Sequence, residues 1–296
     1  MDMIKPAPGR AIAMALRVLR FPLTLLVIEA VAVVLAAAGV STLLRKAGVG
    51  RDGPAHLLGA MVVGLVVIGL WKALRRWLEG AADAEFTAAG ALRELGGGLA
   101  LGFLLFSAMA CVVMLLGGMR IEGVRGAGQI WALLAMAVTS GVFEEALFRG
   151  VLFRHVEAML GSWAALAFTS ALFGAAHLGN PGASLFAAFA IAVEAGILLG
   201  AAYMLTRRLW LAVGIHAAWN FTQGWVFSIP VSGGAAPLGL LITRREGPDW
   251  LTGGDFGLEA SVVAMLAATL AGLALLRMAI RRGELRAPMW AASRRA

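Results

Sequence analysis

The sequence predicts an all-α, polytopic transmembrane helix bundle of about eight spans, and three observations predict it. Of the 296 residues, 60% are hydrophobic and 14% are charged. An ordinary soluble domain has about 45–50% apolar and about 25% charged residues. Several apolar runs reach the roughly 20 residues that a helix needs to cross about 30 Å of hydrocarbon. Glycine occurs 38 times, and in lipid small residues let helix backbones approach closely, because acyl chains are as apolar as the side chains they would replace.

Apolar runs bounded by charge, Gly or Pro give spans at 21–44, 56–78, 97–117, 130–152, 163–178, 184–205, 209–228 and 258–280. The first follows Lys5, Arg10, Arg17 and Arg20 and contains Ala36-Ala37-Ala38. It is read as an anchor rather than a cleaved leader, since its apolar stretch outruns a leader's core of about 7–15 residues. Glu29 within it reads as a lone polar or interfacial contact. The second and third spans carry no motif, and Cys111 in the third reads as a buried thiol; a single cysteine permits no intramolecular disulfide. The fourth holds adjacent carboxylates. The fifth is the shortest, the sixth carries Glu194 beside Gly196 and Gly200, and the seventh holds a histidine. The Gly- and Pro-rich stretch 230–257 before the eighth reads as a flexible connector. Residues 1–296 thus read as one integral membrane domain, with its chemistry concentrated in a core at 130–228.

The net charge of +8 does not form one basic face, which excludes a nucleic-acid surface; membrane topology accounts for it. With the spans alternating, 18 of the 25 Lys and Arg fall on the side of the termini and 7 on the other. By the positive-inside rule both termini are cytoplasmic. The abundance of Ala and Gly suggests a GC-rich bacterial gene, hence the bacterial inner membrane.

Ionisable groups inside a span cost at least about 2.5–3.5 kcal/mol near its centre, so each is a functional candidate. In Gly141-Val142-Phe143-Glu144-Glu145-Ala146-Leu147-Phe148-Arg149, helical spacing puts Glu145 and Arg149 on one face and Glu144 about 100° away. Glu145 pairs with Arg149, and Glu144 is left to face the bundle interior. His56 and His155 lie at span ends and read as wet polar tips. His177 and His216 lie in apolar helical sequence, and Asn220 follows His216 by one turn on the same face. Peptide hydrolysis needs a base to activate water and donors for the oxyanion. Glu144 with the two histidines supplies the first and Asn220 the second. Glu144, His177 and His216 are equally candidate ligands for a divalent metal, zinc by donor type, and the sequence does not choose between metal-free and metal-bound water.

Glu144-Glu145-x-x-x-Arg149, Phe173-x-x-x-His177 and His216-x-x-x-Asn220, in that order on the fourth, fifth and seventh spans, resemble the CPBP family of intramembrane proteases, named for CAAX-prenyl endopeptidases and bacteriocin-processing proteins. The resemblance implies an intramembrane endopeptidase in which Glu144 activates the hydrolytic water with His177 as partner. His216 and Asn220 would hold the water, a metal or the oxyanion, and Glu145 and Arg149 would support the site. The implied partners are the lipid bilayer and a peptide or protein substrate, membrane-anchored, reaching the site from the membrane or the cytoplasmic face. A catalytically idle scaffold or bacteriocin-immunity protein and a proton-coupled transporter are the alternatives. One expectation conflicts with this reading. Counted along straight helices from the cytoplasmic ends, Glu144 and His216 lie about 12 Å deep and His177 about 22 Å, a mismatch assigned to the boundary of the fifth span.

Overall fold

A computed structural model describes residues 10–81 and 84–292. Lys5 of the N-terminal basic cluster lies outside the described residues. The chain forms a polytopic helical bundle. A short helix α1 (Arg10–Leu19) precedes α2 (Pro22–Lys46), α3 (Pro54–Glu79), α4 (Ala91–Leu115), α5 (Ile130–Leu160), α6 (Ser162–Ala176) and α7 (Leu185–Thr206). Then come α8 (Trp210–Phe221), continued by a π-helical turn Thr222–Val226, and α9 (Val262–Arg281). Among the described residues, six helices (α2, α3, α4, α5, α7 and α9) are long and apolar enough to cross a membrane. α6, at 15 residues, and α8, at 12 plus its π-turn of 5, are shorter, so the expected eight crossings rest on topology rather than length. Leu23, Val27, Val31 and Leu35 are exposed along α2, as are Leu65, Leu104 and Leu270 on other helices. Such apolar outer faces fit lipid and not water. Cys111 belongs to this outer face and not to the core.

The connections sort into two faces. On one, β1 (Met119–Val124) pairs antiparallel with β2 (Leu241–Arg245), and Gly182 lies against Asp255. That pairing holds the connector before α9, which is therefore built rather than slack. Arg120 reaches Glu246 at 3.2 Å and Arg244 reaches it at 2.7 Å across the strands. On the other face, Leu209 N–H donates to Glu85 O at 3.0 Å, and Ser162 N–H donates to Arg286 O at 3.0 Å. Arg207 clasps Glu157 at 2.6 Å and Glu284 at 3.1 Å. The first and last described residues, Arg10 and Ala292, belong to this second face.

Close backbone approach fixes the helix that carries His216. A Cβ on Gly214 would sit 2.9 Å from the Gly98 Cα, so α4 and α8 meet through paired glycines. Phe106 packs edge-on against Trp219 with ring centroids 5.2 Å apart, below that crossing.

The depth mismatch has a specific cause. α6 begins at Ser162, close to expectation, but α5 runs on to Leu160, eight residues past the expected end. In the sequence alone, Arg154, His155 and Glu157 resemble a wet terminus. Each is instead buried. Counted from the α5–α6 turn, Glu144 lies about 24 Å along α5 and His177 about 22 Å along α6 at about 1.5 Å per residue, so the two helices deliver them to one level.

Candidate active site

α5 widens around its carboxylates. Ser140–Glu144 and Ala146–Phe153 are π-helical, a wider turn that recurs at functional sites. Glu145 is fully buried, and its Oε1 accepts from the Arg149 guanidinium at 3.0 Å and from His216 Nδ1 at 2.8 Å. Arg149 also donates to Ala195 O at 3.1 Å and lies 4.7 Å from the centroid of the Phe173 ring. The neighbouring Glu144 is different. It is 27% exposed, and its Oε2 stands 3.9 Å from His216 Nε2, beyond hydrogen-bond distance.

The tautomers follow from the partners. A carboxylate only accepts, so His216 carries its proton on Nδ1 and turns an Nε2 lone pair toward Glu144 when neutral. His177 begins a 3₁₀ turn where α6 ends, and its Nδ1 donates to Phe173 O at 2.7 Å, which leaves its Nε2 unprotonated in the neutral ring. Asn220 donates to Ser140 Oγ at 2.9 Å with one of its two N–H groups.

Glu144, His177, His216 and Asn220 line one cavity of about 270 Å³, together with Ser140, Asn180 and Ser232. A second cavity of about 340 Å³ shares Met136, Ser140 and Glu144 with it and extends to His56 and Phe143. His56 is therefore a cleft residue rather than only a span-end tip. Behind the two histidines a small chamber is lined by Glu194, Glu259 and Ser232. Glu194 is buried there with Oε2 lacking a hydrogen-bond partner. Ser232 holds a positive φ of 47° and donates to Glu259 Oε2 from its N–H at 2.7 Å and its Oγ at 3.1 Å. Asn180 donates to Ser232 O at 2.9 Å. These bonds pin the roof of the chamber. Glu259 lies outside the long helices; burial pushes its carboxyl up, against the pull of the Ser232 bonds and of His177 and His216. Ser140 was findable as the residue one turn before Glu144. Ser232 and Glu259 sit in connecting segments with no periodicity to mark them.

Glu144, His177 and His216 are suitable zinc ligands by type, and both histidines have the carbonyl or carboxylate partner that orients a metal-bound imidazole. Their spacing does not fit. Among the described residues, the trio of His, Cys, Asp or Glu whose ligand atoms lie within 4.8 Å of one another is Glu29, Glu79 and His155. That buried trio can hold a metal ion by composition and spacing. Arg154, however, already meets all three, donating to Glu29 and Glu79 at 2.7 Å each and lying 2.8 Å from His155 Nε2. Glu29 and His155 are thus neither a lone contact nor a wet tip, but parts of a buried ion lock joining α2, α3 and α5.

Residues 126–222 match the model of the family described as type II CAAX prenyl endopeptidase Rce1-like. Over these residues the chain is similar to an Rce1-like domain. The match contains Glu144, Glu145, Arg149, His177, His216 and Asn220, and the family is one of intramembrane CAAX-type proteases. No curated protein and no solved structure matches the chain. With its apolar helices and this match, the chain is an integral membrane protein.

Proposed function

We propose that the chain is an intramembrane endopeptidase in which Glu144 is the general base, and that residues 130–228 form its protease core. The observation that carries the reading is the convergence of Glu144, His177, His216 and Asn220, from three helices, on one cavity. Glu145 is already engaged by Arg149 and His216, whereas Glu144 has an exposed carboxylate and no hydrogen-bonded partner of its own.

In the proposed reaction Glu144 takes a proton from a water in the cavity, and the water oxygen bonds to the scissile carbonyl carbon. The carbonyl oxygen becomes an oxyanion, which the second N–H of Asn220 stabilises. Glu144 then delivers its proton to the amide nitrogen, the C–N bond breaks, and an amine leaves. The remaining hydroxyl proton is lost as the new carboxylate forms. His216, held in one tautomer by Glu145, orients the water by accepting its second O–H at Nε2, and His177, held by Phe173 O, lines the cavity beside it. The ligand atoms of Glu144, His177 and His216 line one cavity but do not all lie within 4.8 Å of one another, so the proposed steps use these side chains alone.

The test is cleavage of membrane-tethered peptides by purified protein in detergent or liposomes, with Glu144→Ala as control. Cleavage by the wild type and none by the variant supports the reading. Equal turnover by both sinks the mechanism, and binding without cleavage by either favours a scaffold or immunity role. In family relatives the substrate is a C-terminal peptide beyond a prenylated cysteine; a membrane-anchored or bacteriocin-like precursor suits a bacterial chain as well.

A further inference from the structure

We propose that the Rce1-like cavity acts on the extracytoplasmic side of the membrane, so that its substrates are exported or outward-facing membrane-anchored polypeptides. The proposal rests on the endopeptidase reading and changes the face from which substrate arrives.

Two independent observations meet here. The rim of the cavity around Glu144 is formed by Asn180, Pro181, Val231, Ser232 and Gly234. All five belong to connections on the β1–β2 face, and His56, at the far end of the shared cleft, opens α3 on that same face. The opposite face, with the termini, contributes no residue to either cavity. Deeper entry from that side is blocked by the buried lock of Glu29, Glu79, Arg154 and His155 and by the Arg207 clasp on Glu157.

The second observation is charge. Exposed Arg17, Arg20, Arg76, Arg93, Arg281, Arg282 and Arg286 all lie on the terminal face. The cavity face carries fewer, 7 of the 25 Lys and Arg: Arg45, Lys46 and Arg51 between α2 and α3, Arg120 and Arg125 between α4 and α5, and Arg244 and Arg245 before α9. The connections are short enough, below about 60 residues, for Lys and Arg to set orientation. The termini are therefore cytoplasmic and the cavity mouth is not. A C-terminal peptide on a cytoplasmic protein would have to cross the bilayer to reach Glu144. A chain emerging from the outer leaflet meets the cleft directly, with Ala135, Met136 and Phe143 forming an apolar flank before the carboxylate.

Orientation is read without any dependence on activity. In a Cys111→Ala background, single cysteines at Ala236, exposed beside the cavity, and Ala287, exposed on the terminal face, are treated with a membrane-impermeant maleimide in intact spheroplasts and after lysis. Labelling of Ala236→Cys in intact cells, with Ala287→Cys labelled only after lysis, is expected. The reverse pattern overturns the proposal and leaves the endopeptidase reading standing. A pair of membrane-tethered reporters, with the cleavable segment outside or inside, then tests substrate. Cleavage of the outward reporter alone supports the proposal, and cleavage of the inward one alone overturns it. Cleavage of neither, by protein that labels as expected, removes the endopeptidase reading and with it the substrate assignment.

Discussion

Arg149→Met tests the electrostatics of the site most sharply. Arg149 is 1% exposed and Glu145 is 0% exposed, so the substitution leaves a buried carboxylate whose remaining partner is His216. Breaking a buried ion pair by removing one member costs about 3–5 kcal/mol, which at about 1.36 kcal/mol per tenfold is two to almost four orders of magnitude in the folding equilibrium. The stacking on Phe173 and the bond to Ala195 O are lost as well. Glu145→Gln/Arg149→Met removes both charges and keeps an amide oxygen to accept from His216 Nδ1. It is expected to recover most of the loss, since an apolar replacement of a buried pair is often neutral. Unfolding in detergent, followed by circular dichroism and by monodisperse yield, measures both variants. A single variant as stable as wild type, or a double variant no better than the single, would show that the pair is not the source of stability.

Glu144→Gln is expected to lower turnover by about 10²–10⁴, the usual contribution of a general base, with unfolding unchanged because Glu144 is partly exposed; peptide cleavage and melting measured on one preparation check this. Asn220→Ala removes the proposed oxyanion donor and is expected to cost about 10²–10³ in kcat, together with about 0.5–1.5 kcal/mol for the lost bond to Ser140. Gly214→Val places atoms against the Gly98 Cα and is expected to destabilise by about 1–3 kcal/mol; normal melting would remove the close α4–α8 contact as a determinant. Glu259→Gln is expected to melt within about 1 kcal/mol of wild type, because burial already favours the neutral carboxyl and the amide oxygen still accepts from Ser232. Glu259→Ala strands that N–H and costs about 1–3 kcal/mol.

Local spacing made part of the site legible. Glu145 and Arg149, or His216 and Asn220, are one helical turn apart, so the sequence alone places each pair on one face. Partners separated by long stretches were not legible. Arg154 meets Glu79 and Glu29, 75 and 125 residues away, and without those partners Arg154-His155 reads as the wet end of a span. The same error shortened α5 and created the apparent depth mismatch with His177. β1 and β2 escaped notice because each is short and is ordered by the other across the α4–α5 and α8–α9 connections. Glu259 gains its meaning only from Ser232, on a different segment.

In the proposed mechanism, one residue step along α5 separates support from chemistry. A carboxylate in the bundle interior persists as an anion only if a cation and hydrogen-bond donors meet it. Arg149 can serve one of the two, and the helix turn assigns it to Glu145. Engaged on Oε1 by Arg149 and His216, Glu145 lines neither cavity, but it fixes the His216 tautomer so that Nε2 faces Glu144. Glu144 has no arginine of its own and is partly exposed on the cavity wall, where a hydrolytic water can reach it. A swap of the two roles would need Arg149 one residue earlier, on the Glu144 face. Moving the arginine to position 148 while removing it from 149 should therefore lose folding before it loses anything attributable to catalysis, since the buried Glu145 would then be the unpaired charge.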